Sequence, residues 1–179
     1  MESSLVIHTI PPVFDAHSRI LILGTMPSPK SRETAFYYAH PQNRFWKVLA
    51  FVFDIQIGNG KEEKTEFLLS HKIALWDVIK SCEILGADDS SIKNPQPNDL
   101  RIITGTASIS HIFTTGTAAG NLYSRYCAEQ TGIQATVLPS TSSANAKWSM
   151  EQLAERYAVI REALHINNIM KEKNNALNK

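Results

Sequence analysis

Four short apolar runs punctuate the chain: Arg19 to Gly24 (RILILG), Ile73 to Val78 (IALWDV), His111 to Gly116 (HIFTTG) and Ala135 to Ser140 (ATVLPS). Runs of this length predict strands. Between them lie segments of helical character at 43–53, 63–72, 98–106 and 118–131. Strand and helix in alternation predict an α/β fold built on a parallel sheet. After the last run Leu153, Tyr157, Ile160 and Leu164 recur at spacings of four, three and four, which puts them on one face of a helix that covers the sheet. The polar stretch Gly86 to Asp99 reads as a long connection inside the domain, and no internal repeat is present. We therefore expect one domain over 1–170, with 171–179 as a frayed, aperiodic tail.

Ligands of open parallel sheets bind beyond the carboxyl ends of the strands. The segments that follow the four runs are GTMPSPKSR, DVIKSCE, TTGTAAG and LPSTSSANA, three of them rich in Gly, Ser, Thr and Pro. Such loops offer backbone amides and hydroxyls to an anion, and a phosphate-binding rim is one expectation. The same composition is also what ordinary loops contain, so both readings stand.

Composition narrows the chemistry. A chain of 179 residues is long enough to bury one sizeable core, and a net charge of +1 predicts no global attraction for a polyanion. Contact with nucleic acid would have to come from a local basic patch. Cys82 and Cys127 form no metal-type pattern, and no His pair has ligand spacing, so no metal site is expected. The first loop is neither a Walker loop nor a GxGxxG loop, and Ser28 has no GxSxG elbow around it. Asp77 sits at a strand end, where it suits either a functional acid or a helix cap. Asp88 and Asp89 read as solvated loop residues. No bilayer-spanning run or leader pattern is visible, which predicts a soluble cytoplasmic protein, nucleoid-associated if prokaryotic.

The remaining unusual stretch is FYYAHPQNRFWKVL, Phe36 to Leu49. Phe36, Tyr37 and Tyr38 offer π-faces and Asn43 an amide that donates and accepts, while Lys30, Arg32, Arg44 and Lys47 add local positive charge. Phe45, Trp46, Val48 and Leu49 read as helix core. For His40, ordering its own turn beside Pro41 and a role in a site are both open.

LILGTMPS, followed by FYYAHPQNRFW and later by LPSTSSANA, resembles the uracil-DNA glycosylase superfamily, most closely its hypoxanthine-DNA (deoxyinosine) glycosylase branch. The first block also resembles the mismatch-specific uracil/thymine branch, where a GxNPG loop precedes a FAHPxNRFW run. The resemblance runs from about Arg19 to Tyr157 and rests on the combination of blocks.

It implies a three-layer α/β/α fold with a central four-stranded parallel sheet, no metal, no redox cofactor, and a monomer that flips a deaminated base out of DNA and cleaves its glycosidic bond. Carried over by position, Asn43 is the catalytic residue. Gly24, Thr25, Met26, Pro27, Ser28, Phe36, Tyr38, Thr115 and Gly116 form the base pocket, with Tyr38 stacking on the base. Lys30, Arg32, Arg44 and Lys47, with Ser140, Thr141, Ser142, Ser143 and Asn145, meet the DNA.

The departures matter as well. Met26 stands where the mismatch branch has an Asn that positions water, and Ser140 stands at or near the His of classical uracil enzymes. Hypoxanthine is therefore the expected base, with Asn43 orienting water and stabilising charge rather than removing a proton outright. Neither motif carries an obvious catalytic Lys, so no lyase step is expected. The loop Thr141 to Asn145 offers no bulky wedge, which predicts a preference for wobble-paired or single-stranded deoxyinosine. The alternatives are a uracil or thymine mismatch glycosylase, a non-catalytic reader of damaged bases, and a glycosidase for free nucleosides.

Overall fold

The structure is a computed structural model; it describes residues 3–177, with side-chain environments to residue 166. The chain begins with β1 (Ser4–Ile7), whose alternation continues past the strand: Val6, His8 and Ile10 are buried, while Leu5, Ile7 and Thr9 face out. It then enters β2 (Ile20–Gly24), β3 (Ile73–Asp77), β6 (His111–Thr115) and β7 (Ala135–Leu138), which pair in parallel in the order β3-β2-β6-β7. β2 has a partner on each edge, and all five of its residues are buried. A strand covered on both faces has no polar side to present, so its sequence is a continuous run of Ile and Leu rather than an alternation. Full burial of each such side chain contributes about 1.5–3 kcal/mol.

Helices flank this sheet. α1 (Pro29–Thr34) follows β2 directly, and α2 (Phe45–Phe53) buries Phe45, Trp46, Val48, Leu49 and Val52 along one stripe. α3 (Lys61–Ser70) leads into β3 and carries Glu62 and Glu63 in its first turn, where carboxylates complement the helix dipole. α7 (Met150–Leu177) packs on α2 through the face that includes Leu153, Tyr157, Ile160 and Leu164, all buried. Arg161 of α7 donates to the Val52 carbonyl at 3.0 Å, satisfying one open carbonyl at the end of α2, and the Tyr157 hydroxyl donates to the Pro139 carbonyl at 2.8 Å. The architecture is the expected three-layer α/β/α class with a four-stranded parallel sheet.

Several elements differ from expectation. The stretch 86–99 is not a connection: β4 (Ile79–Leu85) and β5 (Asp88–Pro97) form a hairpin, and β1 adds to it as a second, antiparallel sheet in the order β1-β4-β5. The segment read as a rim loop after β3 is thus mostly β4. Only Val78 separates the two strands. Its N–H donates to the Gly24 carbonyl and that of Ile79 to the Thr25 carbonyl, at 2.9 and 3.0 Å, so the chain passes from one sheet into the other without a break. Gly86 opens the two-residue turn with φ of +57°, a backbone that an L side chain adopts only with strain.

The helix expected over 98–106 shortens to α4 (Arg101–Thr104), and that over 118–131 divides at Cys127 into α5 (Thr117–Tyr126) and α6 (Ala128–Thr131). α7 continues through residues 171–177 where a frayed tail was expected; residues 178–179 lie outside the described residues. Among the described residues no helix is long and apolar enough to cross a membrane.

Candidate active site

β2, β3 and β6 end side by side at Gly24, Asp77 and Thr115, and a cavity opens over these ends. One wall comes from the segment between β2 and α2. Ser28 caps α1, its hydroxyl oxygen accepting from the Ser31 N–H, with Pro29 favouring the first turn. The helix stops at Ala35, whose φ is +52°, and three residues later Tyr38 has φ of +51°. Two non-glycine residues in the left-handed region so close together fold the chain sharply, and such backbone persists only where its surroundings fix it. The buried Ser31 hydroxyl does part of this by accepting from the Ala39 N–H at 3.2 Å.

This bend sorts the three aromatics. Phe36 turns into the core and stacks on Trp46, with centroids 5.9 Å apart. Its expected place in the base pocket is therefore corrected: it supports the wall from behind. Tyr37 donates its hydroxyl to the Pro11 carbonyl at 2.8 Å and reaches the cavity only as a wall residue. Tyr38 lines the cavity. Its ring stacks on Phe45 at 3.8 Å between centroids, and its hydroxyl hydrogen-bonds Thr115 Oγ1 at 2.8 Å. Burial first, and then the charge of Asp77, raise the Tyr38 phenol well above its ordinary range, so it stays a neutral hydroxyl.

Asn43 lines the cavity just before α2. Its Oδ1 accepts from the Phe45 N–H at 2.9 Å and from the Thr141 hydroxyl at 2.8 Å. An amide whose oxygen is held twice keeps its NH2 as a fixed donor. Thr141 is itself buried, so the expected DNA contact is corrected to a brace behind Asn43. Arg44 is corrected too. Its guanidinium donates to the carbonyls of Ser142, Asn145 and Trp148, and its N–H donates to the Thr141 carbonyl, which binds the loop after β7 to the start of α2. Arg32 donates to the Pro27 carbonyl at 2.9 Å, and Asn145 Nδ2 to that of Ser140 at 2.9 Å, which ties each side chain to a loop at the site.

The remaining expected contacts separate by exposure. Lys47 and Ser143 are exposed, and Lys30 is half-buried in an ion pair with Glu33 at 2.9 Å; Ser140 and Ser142 sit on the cavity rim. Thr25, Met26, Pro27 and Ser28 all line the cavity. Gly116 does not. With φ of +100° it turns the chain into α5, and a Cβ there would lie 3.3 Å from that of Ser140. It shapes the rim without lining it.

Gly24 is close-packed for a different reason. A Cβ on it would lie 2.3 Å from Asp77 Oδ1 and 3.0 Å from the Tyr38 hydroxyl, so the carboxylate and the phenol meet over its bare Cα at the cavity floor. Asp77 is buried, and its Oδ2 lies 2.8 Å from His8 Nε2. The Ile10 N–H donates to His8 Nδ1, which leaves Nε2 as the donor to Asp77.

The opposite lip is the β4–β5 turn, with Ile84, Gly86, Ala87 and Asp89. Asp89, read from sequence as solvated, is half-buried here. Desolvation raises its carboxyl above the usual range against an opposing hydrogen bond from Thr25, and the charges of Asp77 and Asp88 add to the rise. His8, Asp77 and Asp89 are the functional candidates that sequence reading missed or left open. The signal for His8 was its place in the buried alternation of Val6, His8 and Ile10. Asp89 offered none, because it lies 64 positions beyond the Thr25 it meets. Among the described residues no three His, Cys, Asp or Glu side chains converge on a metal position.

The model of the uracil DNA glycosylase superfamily matches residues 11–164, which span both the parallel sheet and the hairpin. The hypoxanthine DNA glycosylase of Methanosarcina barkeri is 34% identical over 140 residues, covering 76% of this chain and 87% of its own. That of Methanosarcina acetivorans is 32% identical over 153 residues, covering 84% and 96%. In three dimensions the chain is similar to the solution NMR structure of a candidate uracil DNA glycosylase from Methanosarcina acetivorans, with a TM-score of 0.76, 31% identity, and coverage of 89% of this chain and 99% of that one. The cavity at the strand ends, the GTMPS loop and the HPQN segment thus lie inside a match that spans most of the chain, which belongs to the uracil DNA glycosylase superfamily, in its hypoxanthine DNA glycosylase branch.

Proposed function

We propose that the protein removes deaminated bases from DNA, hypoxanthine in particular, by hydrolysing the bond between base and deoxyribose. The flipped nucleotide enters the cavity with its base against the face of Tyr38 that Phe45 leaves open, reaching toward the floor at Gly24 and Thr115. Asn43 then stands at the sugar end. Its fixed NH2 donates to the departing base or to the incoming water and stabilises the charge that develops as the bond opens.

The observation that carries this reading is the double anchoring of Asn43 Oδ1 by Phe45 and Thr141, which orients an otherwise freely rotating amide inside the cavity. Preorganised donors of this kind need no rearrangement at the moment of reaction. The reaction is monofunctional on this reading, because among the described residues no lysine lines the cavity to form a Schiff base with the sugar. Weakly paired or single-stranded deoxyinosine is the preferred substrate, since Ser142, Ser143 and Ala144 supply no bulky side chain to fill the gap left by the base.

The test is single-turnover excision from duplexes carrying deoxyinosine or deoxyuridine, with strand breaks revealed by alkali. The wild type is expected to cut deoxyinosine in preference to deoxyuridine. Asn43→Ala is expected to lose roughly 10²–10³-fold in rate while retaining its fold and its DNA affinity. Equal cutting by both proteins would make Asn43 structural. Retarded but uncut DNA would make the protein a reader of damaged bases.

A further inference from the structure

Two carboxylates line the cavity, and the mechanism above uses neither. The His8 N–H donates to Asp77 and holds it as a hydrogen-bond acceptor at the floor. Asp89 reaches the same cavity from the β4–β5 hairpin, beside Thr25. Among the described residues no lysine, arginine or histidine lines the cavity beside the pair. Two carboxylates that share a site disfavour double ionisation, and the one of the pair whose carboxyl is raised by burial, Asp89, is the group able to carry a proton.

The hydrolysis also needs such a group. Asn43 cannot accept the proton of the attacking water, because its amide oxygen is occupied twice and its nitrogen is not basic. A purine departs more readily once a ring nitrogen is protonated, a route closed to uracil, whose ring nitrogens carry no free basic pair.

Resting on the function read above, we propose that Asp89 is the acid–base residue of this cavity, giving its proton to a basic ring nitrogen of the departing hypoxanthine and then accepting one from the water that attacks C1′. As the C1′–N9 bond breaks, its electron pair passes to the base and the Asp89 proton neutralises it. The water oxygen then bonds to C1′, and one of its protons returns to the Asp89 carboxylate. The net change is hydrolysis, with the residue regenerated and no other reactant consumed. Desolvation of Asp89 and the nearby Asp77 charge act in the same direction by favouring its protonated form. The titratable groups that act on or respond to Asp89 are Asp77 of β3, Asp88 of its own strand, Tyr38 of the opposite wall and Cys82 of β4. Burial raises the last two, so they stay neutral through the range in which Asp89 titrates.

The experiment is the rate of single-turnover deoxyinosine excision from about pH 5 to about pH 9 for wild type, Asp89→Asn and Asp89→Glu. Above the raised carboxyl range the wild-type rate is expected to fall by about tenfold per pH unit, because the acid form is the reactive one. Asp89→Asn is expected to lose roughly 10²–10⁴-fold at the acidic end and to lose the slope. Asp89→Glu, which keeps the acid, should keep the slope at a reduced rate. Asp88→Asn, at the exposed neighbour, removes one charge that adds to the rise of Asp89, so it should keep the rate at the acidic end and the slope and move the fall to slightly lower pH.

Binding of duplex containing a non-hydrolysable 2′-fluoro-deoxyinosine reports on folding. If Asp89→Asn fails to bind it, the Asp89→Glu profile decides, its slope supporting the assignment and a flat profile overturning it. An Asp89→Asn protein that retains the wild-type rate within about threefold and the same profile would overturn the assignment while leaving Asn43 and the glycosylase reading intact. A wild type that releases no hypoxanthine would overturn both.

Discussion

The two walls of the cavity are built on different principles. The Asn43 wall rests on the parallel sheet and is tied down at every step: Ser28 caps α1, Ser31 holds Ala39, Phe45 stacks on Tyr38, and Thr141 and Arg44 fasten the β7 loop to α2. The Asp89 lip is the end of an antiparallel hairpin whose second strand is largely exposed and whose pairing shifts register three times. One wall fixes a neutral donor to within a rotamer. The other presents a carboxylate on an element that gains little from burial and opens at lower cost. Precision on one side and yield on the other suit the proposed entry of an extrahelical nucleotide.

The comparison can be broken most severely at Gly24. Gly24→Ala would drive a methyl group into the Asp77 carboxylate and the Tyr38 hydroxyl together, so both must shift from the positions fixed by His8 and Thr115. We expect a stability loss of about 1–3 kcal/mol, visible as a lowered melting temperature, together with loss of excision. Unchanged activity would mean that the floor is softer than its packing implies.

Thr141→Val is a finer cut. It keeps the shape of the side chain but removes the donor to Asn43 Oδ1, so the amide remains held by the Phe45 N–H alone. Excision should slow by about tenfold, corresponding to one hydrogen bond of about 1.4 kcal/mol, with little change in DNA affinity. A fall in affinity instead would return Thr141 to the DNA interface.

The smallest effect is expected across the cavity. Gly86→Ala meets no atom within 4 Å, so only the left-handed backbone of the turn opposes it. A cost of about 1 kcal/mol should appear in thermal unfolding. Excision should change by less than in Thr141→Val, which would show that the lip tolerates adjustment and the opposite wall does not.

These differences follow what the sequence could and could not reveal. The four parallel strands were legible because each buries a short unbroken apolar run, and the α7 face was legible from its spacing. The hairpin was hidden. Its second strand, DDSSIKNPQP, is polar and carries Pro95 and Pro97, which normally argue against a strand; the strand survives because it lies at the edge of its sheet, where a missing N–H is tolerated. Within the site, the GTMPS loop, Tyr38 and Asn43 were visible through their resemblance to a family pattern. Arg44 was misread because local sequence shows its charge but not the three carbonyls, 98 to 104 positions away, that converge on it. Asp89 was misread because a lone acid in a polar stretch carries no mark of the strand that turns it inward.

The sign of the cavity also bears on what competes for it inside a cell. Free nucleotides carry the same bases as DNA at far higher concentration, but each brings its phosphates on a short tether. In a recess lined by the acidic side chains of Asp77 and Asp89, with no lysine or arginine among the described residues that line it, those phosphates find no positive partner. A base attached to a polymer avoids this, because its phosphates stay outside the recess along the strand. A site of this sign is thus expected to favour a base carried on a strand over the same base on a free nucleotide, and added nucleotide should inhibit excision only weakly.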